Sequence, residues 1–149
     1  MSISKDRVST LKALIAGSAA CTATPVARAL TEEIDALYNA RLVRPRPRRS
    51  LLEVLHAARA LDSCLNSINA HYGCSASAKG LGDYLKALKN HTHATLGRLH
   101  DHQQSRFLHS VVRKRNRFLH AADTYPTVSE VNHIVSEAQE CFVAAIGLE

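Results

Sequence analysis

Arg115, Asn116 and His120 are the side chains that breaking an RNA phosphodiester without a metal would call for, and they stand within RKRNRFLHAAD, residues 113–123. Such a reaction activates the ribose 2′-hydroxyl, stabilises a dianionic phosphorane and protonates the departing 5′-oxygen. Histidine suits the proton transfers, because an ordinary pKa of about 6.5 keeps both of its forms available near neutrality. Arginine suits the phosphorane, since its planar fork donates two parallel hydrogen bonds and keeps its charge. Asn116 lies one helical turn before His120, where its amide can orient the imidazole or hold a non-bridging oxygen. The spacing is modest as a signal. An Arg followed five residues later by a His arises about 0.8 times by chance in this composition, and roughly 0.1 times if Asn, Asp or His must follow the Arg.

The element that must carry these residues runs from about Gln103 to Ala122. Phe107, Leu108, Val111, Val112, Phe118, Leu119 and Ala122 recur at the three- and four-residue intervals of an amphipathic helix. At about 100° per residue, His109, Arg113, Asn116, His120 and Asp123 share a second, polar stripe. Arg115 falls on the apolar face, where a cation needs a carboxylate such as Asp62 or Glu53, or an opening onto a polar groove. Without further context, His120 reads as a histidine at its helix end and Asn116 as a solvated position. Arg113, Lys114 and Arg117 form a basic face that would also guide phosphates.

Around this helix the pattern is helical throughout. Val8, Leu11 and Ile15 mark a short accessory helix within residues 1–22. Thr24 as N-cap with Pro25 behind it opens a second helix, carrying Val26, Leu30, Ile34 and Leu37. The prolines of VRPRPRRS, residues 43–50, predict an extended basic connector that displays Arg44, Arg46, Arg48 and Arg49 to RNA. Ser50 with Glu53 reads as a capping box for a third helix with Val54, Ala58, Leu61, Leu65, Ile68 and Tyr72 inward, stopped by Gly73. Leu81, Tyr84, Leu85 and Leu88 give a short helix, and HTHATLGRLHDH has no clear pattern. A second capping box, Thr127 with Glu130, opens a last helix with Val131, Ile134, Val135, Ala138, Phe142 and Ala145 inward. The expected architecture is one all-α domain over residues 1–149, an antiparallel up-and-down bundle of four to five helices.

A net charge of +6 and a pI of about 9.4 favour a polyanionic partner. Cys21, Cys64, Cys74 and Cys141 form no C-x-x-C pair or regular framework, which reads as reduced thiols and a cytoplasmic protein. Lys5, Arg7 and Lys12 before LIAGSAAC only faintly suggest a secretory leader, because Asp6 and Lys12 interrupt its regions. No apolar run approaches the roughly 20 residues of a membrane span. His91, His93, His100, His102 and His109 raise the thought of zinc. Two H-x-H pairs without thiolates or an H-x-x-x-H turn are a weak ligand set, so no metal or other cofactor is assigned.

An all-helical chain with Arg115-Asn116-Arg117-Phe118-Leu119-His120 on its penultimate helix resembles the HEPN superfamily. Its signature is an Arg, a polar residue, three variable residues and a His. The resemblance spans about Thr24 to Leu148, with those six residues as its specific part. It implies a homodimer that joins two motif helices into a composite active site, with Arg115, Asn116 and His120 as the catalytic set. It also implies metal-independent RNA cleavage to 2′,3′-cyclic phosphate ends, a role as toxin or abortive-infection effector, and an antitoxin or other defence-system protein as partner. Several toxin members carry a Tyr two residues after the His, where an antitoxin modifies it; here Ala122 stands there, so that regulation is not expected. Other members are catalytically silent modules that bind RNA or a protein partner, and this is the alternative reading.

Overall fold

The computed structural model describes residues 3–149, so the first two residues of the expected 1–22 segment lie outside it. Its elements are α1 (Lys5–Gly17), α2 (Ala19–Thr22), α3 (Val26–Asn39), a 3₁₀ turn (Ala40–Leu42), α4 (Arg46–His71), α5 (Leu81–Asn90), α6 (Asp101–Phe107), a π-helical segment (Leu108–Arg113), α7 (Lys114–Leu119) and α8 (Val128–Ile146). There is no strand among the described residues. The protein is an all-α bundle. Its centre is α4, which packs against α3, α8, α5, α2 and α7, while α1 lies across α3 and α8.

Apolar periodicity explains this core. Leu61, Leu65 and Ile68 of α4 are fully buried with Ile34 and Leu37 of α3, Leu85 and Leu88 of α5, and Ile134, Phe142 and Ala145 of α8. Val8, Leu11 and Ile15 of α1 enter the same core, so this helix is integral to the fold. Glu149 ties the two ends together. Its carboxylate accepts hydrogen bonds from the Ala20 amide at 2.8 Å and the Tyr72 hydroxyl at 3.0 Å. Cys21, Cys64 and Cys141 are buried and Cys74 partly so, all as free thiols.

Two ends follow their sequence signals closely. Thr127 caps α8 by accepting from the Glu130 amide at 3.2 Å, and Glu130 accepts in return from the Thr127 amide at 3.2 Å. Gly73 takes φ +61°, and the Cys74 and Gly73 amides close back on the Asn69 and Ala70 carbonyls at the end of α4. That is the reciprocal pairing of a Schellman ending, which needs the left-handed conformation a glycine adopts freely.

The basic connector is where the structure departs from expectation. Helix α4 begins at Arg46, so the non-helical part of 43–50 shrinks to 43–45. Pro47 falls in the first turn of the helix. Backbone N–H groups there have no intrahelical acceptor, so a proline costs nothing in hydrogen bonding. Ser50 is therefore not a cap. It lies a full turn inside the helix, buried, as is Glu53. Arg46, Arg48 and Arg49 stand on the first turn of a 26-residue helix rather than on a free arm. α3 likewise starts one residue later than expected, at Val26, and ends at Asn39, ahead of Pro45 and Pro47.

Candidate active site

The motif helix exists as one rod from Asp101 to Leu119, but its middle is wound with i→i+5 bonds over Leu108–Arg113. A cause is visible at Ser110. Its buried hydroxyl lies within hydrogen-bond reach of the Arg106 carbonyl at 2.8 Å and of Glu137 Oε2 at 3.2 Å. A serine side chain that competes for the i−4 carbonyl loosens the regular ladder. Arg106 braces the same spot through two bonds to Glu137 of α8, at 2.7 and 2.8 Å. On the other flank the π segment lies against α5, where a Cβ on Gly82 would stand 3.5 Å from Leu108 Cδ1. Any larger residue there would press on the segment that feeds the motif. The π winding takes up additional residues per turn, so the 100° count does not run unbroken from His109 to His120.

Arg115 is half-buried on α7, as its place among apolar residues requires. Its Nε donates to Asn116 Oδ1 at 3.1 Å. Of the two carboxylates expected as partners, Asp62 is the neighbour. Burial pushes the Asp62 carboxyl above its ordinary range, and Arg115 draws it partly back. The two form no ion pair within 4.0 Å among the described residues. Glu53 does not serve Arg115. It lines a separate cavity with Arg46 and Arg49.

His120 is exposed and ends α7, its amide bonded to the Asn116 carbonyl at 3.1 Å. Asn116 and His120 are thus one turn apart and joined through the backbone, while the imidazole makes no hydrogen bond among the described residues. Arg113 is exposed with Nη1 3.3 Å from His109 Nδ1, Lys114 is half-buried, and Arg117 is exposed, 3.9 Å from Glu130. On the connector side Arg44, Arg46 and Arg48 are exposed and Arg49 is half-buried, its Nη1 donating to the Arg41 carbonyl at 3.3 Å.

The apolar face of the rod is largely covered by the chain itself. Phe107, Val111, Val112 and Phe118 are buried and Leu108 partly so, whereas Leu119 is 36% exposed and Ala122 lies outside the helix. The breadth of that face therefore does not by itself demand a second copy.

His91 and His93 have a structural use. His91 is buried, donating from Nε2 to the Gly97 carbonyl at 2.7 Å and accepting the His93 amide on Nδ1 at 3.1 Å. His93 Nδ1 in turn lies 3.2 Å from the Thr95 amide. These rings hold the connection between α5 and α6, and no group of three His, Cys, Asp or Glu among the described residues is placed to hold a metal ion. Among the described residues, no helix is long and apolar enough to cross a membrane.

What sequence reasoning missed is the surroundings of Arg46 and Arg49. Arg46 and Arg49 line one cavity with Glu53 and the start of α8, and Arg46 lines a second with Tyr125. The capping-box reading of Ser50 and Glu53 hid them. Comparison with family models, with curated proteins and with solved structures returns no match.

Proposed function

We propose that this chain is a HEPN-type endoribonuclease that cleaves RNA without a metal and leaves 2′,3′-cyclic phosphate ends. The observation that carries the reading is the arrangement of Arg115 and Asn116. Because Arg115 donates to Asn116 Oδ1, the amide oxygen is committed, and the Asn116 Nδ2 protons and the Arg115 terminal nitrogens have no acceptor among the described residues. Donors without acceptors, beside a cation held at a half-buried position, suit an incoming phosphate. His120, one turn on and exposed, is the proton carrier.

The motif supplies one such imidazole per copy. His109 is eleven residues back, about 16 Å along a helical rod, too far to share a scissile phosphate with His120. Two proton transfers therefore favour a homodimer in which each copy brings Arg115 and His120 to a common groove. Arg113, Lys114 and Arg117 would lead the strand to it. As a toxin or defence effector in the cytoplasm, such an enzyme would pair with an antitoxin or another defence-system protein. The exposed, unbraced ring of His120 also fits the other reading, a silent module that binds RNA without cutting it.

The test is incubation with single-stranded RNA in EDTA, followed by end analysis. Cyclic phosphate termini on the 5′ fragments support the nuclease. Retention of intact RNA on the protein supports the silent module.

A further inference from the structure

Helix α4 starts with the wrong charges. Arg46, Arg48 and Arg49 occupy its first turn, Arg44 precedes it, no side chain caps it and no acidic residue stands in that turn. The positive end of a helix dipole disfavours cations and favours an anion. Glu53, two turns in, points to something more than an anion. The residue is 4% exposed, its Oε1 is enclosed without any hydrogen-bond partner, and it lines a cavity of about 190 Å³ with Arg46, Arg49 and Asn132. An enclosed carboxylate oxygen without a donor is costly, so a ligand that brings N–H groups would relieve it. A second cavity of about 170 Å³ shares Arg46 with the first and is walled by Tyr125, a residue 50% exposed.

We propose that this groove between the start of α4 and the start of α8 is a guanosine-nucleotide subsite, in which Arg46 and Arg49 hold phosphate, Glu53 accepts from the guanine N–H groups and Tyr125 stacks the adjacent base. Guanine is the base that fits. Its N1–H and N2–H are adjacent donors matched to the two oxygens of a carboxylate, whereas adenine and cytosine set a ring acceptor beside their amine. Uracil offers one N–H between two carbonyls. The aromatic face of Tyr125 takes any base, as stacking does. His120 and Tyr125 are five residues apart, at most about 18 Å between Cα atoms, so a strand seated here passes within reach of the motif. The inference deepens the nuclease reading and rests on it only in taking the ligand to be a strand.

Calorimetric titration with GMP, IMP, UMP and inorganic phosphate tests it. GMP should bind about tenfold or more tighter than IMP, which lacks the N2 amine, and than UMP. Glu53→Gln should erase that preference and leave phosphate-driven binding, while Arg46→Ala with Arg49→Ala should weaken all four ligands. Equal affinities for GMP, IMP and UMP, or phosphate binding as tightly as GMP, would overturn the proposal. Should Glu53→Gln lose its helical content, the GMP against IMP comparison on the parent protein still decides. GMP preference without any RNA cleavage would sink the nuclease reading alone, and cleavage without GMP preference would sink this one alone.

Discussion

Arg115 donates its Nε–H to Asn116 Oδ1 at 3.1 Å, so two successive residues of α7 fix each other's orientation and leave their remaining donors unengaged among the described residues. On the proposed reading the pair acts as one anion-facing unit. Asn116→Ala should therefore lower RNA cleavage by about 10²-fold, the usual effect of removing one transition-state donor. Asn116→Asp should lower it further, since a carboxylate repels the phosphate. Single-turnover rates on a labelled RNA would check both, and an Asn116→Ala enzyme as fast as the parent would reduce Asn116 to a solvated helix residue.

Asp62 sets the background charge of that unit. Its folded pKa is raised by burial, with Arg115 offsetting only part of the effect. A carboxyl of this kind holds its proton more tightly in the folded than in the unfolded chain. Stability is then lost as pH rises from the ordinary carboxylate range through the folded pKa. Asp62→Asn removes that loss, so the variant should match or exceed the parent in thermal stability at about pH 7.5, with the difference closing below about pH 4. It should also bind RNA more tightly, because no carboxylate competes for Arg115. A variant less stable at neutral pH would show that the attraction to Arg115 outweighs burial.

Glu137 titrates with the opposite sign. The two bonds from Arg106 hold its carboxyl below the ordinary range despite burial. Its contribution is complete above the unfolded carboxylate pKa and disappears as pH falls through the folded value. Glu137→Gln should flatten the acid limb of the stability profile. Because Glu137 also braces Ser110, the same variant should speed amide exchange over Leu108–Arg113. Unchanged exchange there would mean that the π segment owes nothing to α8.

The last helix was legible from sequence because its signals are local. The Thr127–Glu130 box and the Val131, Ile134, Val135, Ala138, Phe142 and Ala145 spacing predict an element that is found with every one of those apolar residues buried. Ser50–Glu53 presents the same pattern and misled, since S-x-x-E looks alike at a cap and one turn inside a helix. Only the tolerance of a first turn for proline decides between them. The π segment was hidden for another reason. Ser110 also reaches Glu137, 27 residues later, and no local period records such a contact. The 91–99 connection depended on His91 and His93 satisfying backbone groups, which composition alone does not reveal. Of the candidate site, the neighbourhood of Arg115 and Asp62 was readable; the commitment of Asn116 Oδ1 was not.

Replacing Arg44, Arg46, Arg48 and Arg49 by Ser should weaken RNA binding and reduce the slope of log affinity against log salt by about 0.7 for each phosphate no longer neutralised. At saturating RNA the cleavage rate should remain near the parent value. Identical affinity across several salt concentrations would leave these arginines without a part in RNA binding.

Cleavage by His120→Ala is the most direct measurement of the central claim. With RNA and EDTA, the parent protein should produce 2′,3′-cyclic phosphate ends, and His120→Ala should lose about 10²- to 10⁴-fold of that rate. The exposed ring makes no hydrogen bond among the described residues, so helical content and RNA affinity should stay as they are. Cleavage that persists in the folded His120→Ala protein, or parent activity that appears only with added metal, would contradict the account.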